Sequence, residues 1–229
     1  MIKTTSSRLF TLFATTALAA SLALVGCLPA DSSTPKTAAA ADSVSEAATP
    51  DVKAGTYKVD PAHSEIGFRV KHLGLSTVRG VFTESDAEIV FPGTELSGMQ
   101  AEATIQAASV NTNEADRDAH LRSADFFDAE NHPTITFSSL NVTSVEGSRF
   151  TLEGDLTIRG VTKPVRLDGE YLGAAADPWG NQRVALTAEG TIDRTEFGLN
   201  WNDVLEAGGF LVGDEVTIGL DIQAVMQDV

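Results

Sequence analysis

Alternation of apolar and polar residues, repeated along most of the chain, is the feature that most constrains its fold. Phe150, Leu152, Gly154, Leu156 and Ile158 alternate with Thr151, Glu153, Asp155, Thr157 and Arg159. Val184, Leu186, Ala188, Gly190 and Ile192 do the same, as do Val216, Ile218, Leu220, Ile222 and Ala224, and Ile66, Phe68 and Val70. Weaker stretches cover 78–91, 99–107 and 135–142. Side chains along a strand point to opposite faces with period two, so each stretch has one apolar and one solvated face. That pattern marks antiparallel strands, whereas a buried parallel sheet would read as continuous apolar runs. Turn signals divide the stretches: FPGTELSG, VEGSR, RGVTKP, ADPWGNQ and VGDE. About eight strands in succession predict an all-β chain, closed as an up-and-down barrel or stacked as a sandwich.

One segment breaks the pattern. NTNEADRDAHLRSADFF has Asn113 as a candidate N-cap and acids in the first turn. It carries no β-branched residue from Glu114 to Phe127, which predicts a short helix over 114–127. Leu121 and the aromatic end of this helix are expected to face inward. Its acids and arginines are expected on solvated faces or in weak local ion pairs.

The density of polar groups here invites a search for chemistry, and the search finds little. His63, His72, His120 and His132 have no metal-ligand spacing. The acids Asp116, Asp118, Asp125, Asp128 and Glu130 lack the glycine and spacing of an EF-hand loop. No GxSxG elbow is present, and with 32 acids any chosen carboxylate pair is uninformative. No catalytic residue, metal or cofactor is assigned. His72 continues the inward register of β-type residues Ile66, Phe68 and Val70, where a hydrogen-bonded core role is expected; His120 and His132 read as structural or exposed. Arg117, His120 and Arg122 would matter to a ligand with a polar head, because apolar sites carry a few placed polar groups.

The N-terminus bounds the compartment. Lys3 and Arg8 precede an apolar run from Leu9 to Val25 that closes on Leu24-Val25-Gly26-Cys27. This is the layout of a secretory signal peptide over 1–26, ending in a lipobox that makes Cys27 a lipid attachment point. Cys27 is the one cysteine of the chain, which excludes disulfides and thiol catalysis from the mature domain. Residues 27–54 are rich in Ala, Ser, Thr, Pro and Asp without an aromatic, and read as a disordered tether. The folded domain is expected over 55–229. Removing residues 1–26 takes away two cations and no acid, moving the net charge from −16 to −18. So acidic a surface disfavours nucleic acid and anionic headgroups as partners, which leaves the lipid on Cys27 to hold the chain at a membrane.

Four separated blocks, YKVDPAHSEIGFRVKHLGLSTVRGVF, DRDAHLRSADFFDAENHPTITF, GDLTIRGVTKPVRLD and TIDRTEFGLNW, resemble the YceI-like family, in order, over nearly all of residues 56–226. The resemblance implies an extended, lipocalin-like antiparallel β-barrel of eight strands, usually exported, holding a long isoprenoid or related amphiphile. It further implies an envelope protein on the periplasmic side, with a membrane cytochrome or quinone as a further partner; a second copy of the chain is a separate candidate partner. Many relatives are plain periplasmic proteins, whereas this chain carries a lipobox; Leu28 after Cys27 favours the outer membrane under the enterobacterial sorting rule.

An eight-stranded barrel holds either side chains or one ligand. Small residues on inward registers, Ala101, Ala103, Gly154, Ala188 and Gly190, leave volume that a filled core would give to Leu or Ile. The expected lining is Phe68, Val70, His72, Phe82, Ile89, Phe91, Leu121, Phe126, Ile135, Phe137, Leu152, Leu156, Leu186, Phe197, Leu199 and Trp201. The Gly-rich segment from Leu199 to Asp214 is the candidate gate or, equally, an ordinary packed loop. The expected function is sequestration or carriage of a polyisoprenoid, quinone or fatty amphiphile. Two rivals stand beside it: a lipocalin-like enzyme acting on such a chain, and a structural stress-response lipoprotein with a filled barrel.

Overall fold

The computed structural model describes residues 52–204 and 210–227. The expected signal peptide, Cys27, most of the tether, and 205–209 of the candidate gate lie outside the described residues. In chain order the elements are β1 (Gly55–Val59), β2 (Glu65–His72), β3 (Ser76–Phe82), β4 (Ser85–Phe91), β5 (Gln100–Gln106) and β6 (Val110–Asn111). Then come α1 (Ala115–Arg122), β7 (Thr134–Glu146), β8 (Arg149–Ile158), β9 (Val161–Ala176), β10 (Gln182–Asp193) and β11 (Val212–Met226).

Hydrogen bonding runs β1-β4-β5-β7-β8-β9-β10-β11 and returns from β11 to β1, a closed ring of eight antiparallel strands. The barrel that the alternation and the resemblance predict is therefore present, and the sandwich is not. β2, β3 and β6 prolong three of these strands beyond local breaks. A turn over Pro61–His63, capped by the Asp60 carboxylate on the Ala62 N–H, separates β1 from β2, and both pair with β11. Pro164 is tolerated in β9 because the β9–β10 ladder stops at Asp168 opposite Glu189, leaving that side of β9 unpaired.

The up-and-down order sorts the connections to two ends. Residues 73–75, α1, the Arg159–Gly160 turn, residues 194–204 and residues 210–211 sit at one end; residues 92–99, 147–148 and 177–181 sit at the other. The second end is plugged. Tyr57, Phe91, Leu96 and Val52 are fully buried there, with Tyr57 and Phe91 edge to face at 5.5 Å and Phe91 6.5 Å from Tyr171. Val52 was expected in the tether; instead it is in the plug, its N–H donating to the Thr94 carbonyl at 3.3 Å.

Two local readings differ in the structure. α1 occupies only 115–122 of the 114–127 window: Glu114, not Asn113, is the cap, accepting from Asp116 and Arg117 N–H, and Ser123 ends the helix. Asn113 instead takes a left-handed φ of 61°. VGDE is no turn but the start of β11, where two extra residues between Val212 and Val216 bulge the register against β2. Gly-Asp there reports a bulge, which uses the same backbone freedom as a turn.

Candidate functional site

The inward registers enclose a cavity of about 670 Å³, within the 300–1,000 Å³ range of small-molecule sites. Its walls are almost wholly aliphatic and aromatic. Leu152, Leu156 and Ile158 of β8, Leu186 and Ala188 of β10, and Ile218, Leu220 and Ile222 of β11 face it, while their odd-parity neighbours are on the outer face, where Thr151 is covered by its bond to Asp168. Of the sixteen expected lining residues, fourteen border this space: Phe68, Val70, His72, Phe82, Ile89, Leu121, Phe126, Ile135, Phe137, Leu152, Leu156, Leu186, Leu199 and Trp201.

Phe91 and Phe197 do not. Phe91 has the right parity but lies at the plugged end against Tyr57 and Tyr171. Phe197 closes the 3-10 turn Arg194–Phe197 and is buried beneath it. Met99, Phe127 and Leu211 line the cavity without having been expected to. All three sit in connections, where period-two reading gives no signal.

Not every small residue contributes volume. Ala101, Ala103 and Ala188 border the cavity, but Gly154 and Gly190 do not. A Cβ on Gly154 would lie 2.5 Å from the Phe137 ring, and one on Gly190 2.7 Å from Leu167 Cδ2. Those glycines receive a neighbour's bulk rather than leaving a void.

Most polar residues bordering the cavity stand at the open end, His72 and Ser76 beside the β2–β3 hairpin and Asp116, Arg117 and His120 on α1, while Glu88 of β4 and Glu102 of β5 border it deeper in the barrel. His72 is half-buried there, at the rim rather than in a hydrogen-bonded core position. His120 packs edge-on to Trp201 at 4.7 Å and Phe126 at 5.0 Å, with Nε2 2.9 Å from the Asp125 carboxylate.

The arginines of α1 are not surface ion pairs. Arg122 donates to the Ala108 and Val110 carbonyls, and Arg117 to the Thr112 hydroxyl and carbonyl. Buried Asp118 accepts from the Thr112 N–H and hydroxyl at 2.8 and 2.6 Å. Together they staple the helix to β6, so that of the two arginines only Arg117 also reaches the cavity.

Arg194, 4% exposed, fixes the segment that roofs the open end. Its guanidinium donates to the carbonyls of Leu199, Trp201, Val212 and Gly213 and to Asp214. Burial pulls its pKa below the usual guanidinium value. At the opposite end Arg183 clasps Asp60, Asp177 and Gln223. Hydrogen bonds, to Asp60 from Arg183 and His63 and to Asp177 from Asn181 and Arg183, lower both carboxyls to about 2. These networks are architectural, and neither places a nucleophile beside a base. Among the described residues no cluster of three metal-ligating side chains occurs.

The YceI-like domain profile matches residues 57–224. The chain is a member of the YceI-like family. It is 43% identical over 148 residues to UPF0312 protein ECA1782 of Pectobacterium atrosepticum, covering 64% of this chain and 77% of that one. Protein YceI of Escherichia coli O157:H7 is 40% identical over the same length and coverage. Among solved structures, a polyisoprenoid binding domain from Saccharophagus degradans superposes with a TM-score of 0.56 at 14% identity, covering 76% of this chain and all of that one. At that identity the likeness speaks for the YceI-like fold alone.

Proposed function

We propose that this YceI-like protein is an exported carrier that holds one long apolar chain in its barrel and is tethered to the envelope through lipid on Cys27. The observation that carries the reading is the 670 Å³ cavity, walled by inward aliphatic and aromatic side chains with most of its polar residues at the open end. At roughly 30 Å³ per packed heavy atom, the share a water takes in its liquid, that space suits about twenty carbons, or four prenyl units. A polyisoprenoid, quinone tail or fatty amphiphile has that form, and the polyisoprenoid-binding description of the Saccharophagus domain points the same way. A polar head would rest among His72, Arg117 and His120, with a membrane cytochrome or quinone as donor or acceptor.

The engagement of Arg194 by the roof and of His120 by Asp125 supports binding over catalysis. The lipobox, a tether without aromatics and the acidic surface support export and anchoring by acyl chains, with the outer membrane favoured by Leu28 in a Gram-negative cell. The test is solvent extraction of the purified protein followed by mass spectrometry. An intact amphiphile near one per barrel is expected. A cargo chemically altered on turnover would make the protein an enzyme, and no cargo in any preparation would make it a filled structural barrel.

A further inference from the structure

Large apolar side chains crowd the rim of the open end. Leu75 is 83% exposed, Val204 72%, Phe210 58% and Leu73 39%. The other exposed large apolar residues, Leu140, Leu172 and Trp179, stand singly on β7, β9 and the plugged-end loop. The four at the rim are brought together by backbone bonds. Leu73 N–H donates to the Leu211 carbonyl at 2.8 Å, and Val204 bridges antiparallel to Phe210. Leu211 and Val212, next along the chain, already line the cavity, so the rim continues its apolar wall outward.

The conformation of Leu73 is a second, independent sign. It sits at φ 57° beside Gly74 at φ 68°, a left-handed turn position suited to Gly or Asn. Placing leucine there costs stability, and two fifths of its surface stays exposed. Strain kept at an exposed position points to a task at that position.

We propose that the open end docks on the surface of a neutral lipid bilayer, with Leu73, Leu75, Val204 and Phe210 entering its apolar layer. A chain ligand then passes between bilayer and cavity without crossing water. This rests on the reading of the cavity as a site for an apolar chain. The bilayer is favoured over a protein partner because the apolar rim borders the entrance to an apolar cavity, and such a ligand resides in membranes. Neutral lipid is favoured because the chain's net charge of −16 repels an anionic surface, and the charges at the rim, Lys71 and Arg117 against Asp116 and Asp203, cancel. The anchor permits this geometry. Val52 leaves the barrel at the plugged end, but residues 28–51 reach up to about 80 Å when extended. A barrel with strands of up to sixteen residues, tilted as barrels require, is about 40 Å tall.

The test uses the chain from Leu28 onward, free of acyl groups. Flotation with phosphatidylcholine vesicles is measured without ligand, and the transfer rate of a fluorescent prenyl alcohol is measured from the same vesicles. The wild-type chain is expected to float, and to float less well when phosphatidylglycerol is added. A Leu75→Asp/Phe210→Asp chain should remain in solution and take up the probe about tenfold more slowly, since interfacial binding scales with buried apolar area. Its capacity for probe delivered from detergent should be unchanged. Wild-type chain that does not float, or a double variant that loads at the wild-type rate, would overturn the proposal. So would a wild-type dimer that the double variant converts to monomer, because the rim would then be covered by a second copy. Should neither chain retain the probe from detergent, the cavity reading fails instead, whatever flotation shows.

Discussion

Phe68 and Gly80 stand opposite each other on β2 and β3, and the ring lies so close over the glycine that a Cβ there would meet Cζ at 2.4 Å. The same arrangement recurs on β8 and β9, where a Cβ on Gly169 would meet Phe150 Cζ at 2.4 Å, and diagonally across β7 and β8, where one on Gly154 would meet the Phe137 ring at 2.5 Å. Each ring lies down on a neighbouring strand that has no side chain, which leaves the middle of the barrel open. Cavity shape is thus set by aromatic–glycine pairs rather than by small residues alone.

Gly80→Ala therefore forces the Phe68 ring off its strand and into the cavity. Overpacking of this kind costs about 1–3 kcal/mol. Chemical denaturation should show that loss, and the double variant Gly80→Ala/Phe68→Leu should recover much of it, since the leucine lacks the ring atoms that clash.

Arg183 and its two carboxylates predict an acid limit to stability. Asp60 and Asp177 have folded pKa values of about 2, below those of free aspartate. Depressed carboxyls contribute stability that is fully present above the unfolded pKa, near 3.9, and is lost as pH falls through the folded value. Tm should therefore decline between about pH 4 and pH 2. Arg183→Met should lower Tm at neutral pH and flatten that decline. A decline of unchanged steepness in the variant would locate the acid sensitivity elsewhere.

Arg194→Gln removes a guanidinium that satisfies four carbonyls and Asp214 in the roof. Leaving buried carbonyls unpaired costs about 1–3 kcal/mol. Hydrogen exchange should quicken at Leu199, Trp201 and Val212 while β8 remains protected. Uniform loss of protection across the barrel would mean that Arg194 supports the global fold rather than the roof.

The barrel was legible in the sequence because its strands obey one rule over long stretches. From Phe150 to Ile158 every inward residue is buried, and Leu152 and Leu156 border the cavity as parity requires. What the sequence left illegible lies where the chain departs from period two. Met99 and Phe127 reach the cavity from connections, and Phe91 keeps inward parity yet sits in the plug because parity fixes the face and not the depth. The charges of α1 looked like a solvated surface. The arginines donate to carbonyls of 108–112 and Asp118 accepts from Thr112, groups that become neighbours only when the helix folds back on β6.

The most direct measurement is the chain length of lipids extracted from the wild-type protein and from Leu156→Phe and Glu153→Lys variants. Leu156 borders the cavity and is buried, whereas Glu153 is on the alternate parity. Each methylene withdrawn from water contributes about 0.8 kcal/mol, so cargo length should follow the space on offer. Leu156→Phe is expected to retain shorter chains without unfolding, and Glu153→Lys to retain the wild-type profile. Leu156→Asp should retain none, because an unpaired carboxylate among apolar walls is strongly disfavoured. If Glu153→Lys lost its cargo while Leu156→Phe kept the full wild-type profile, the barrel would not hold its ligand in this cavity.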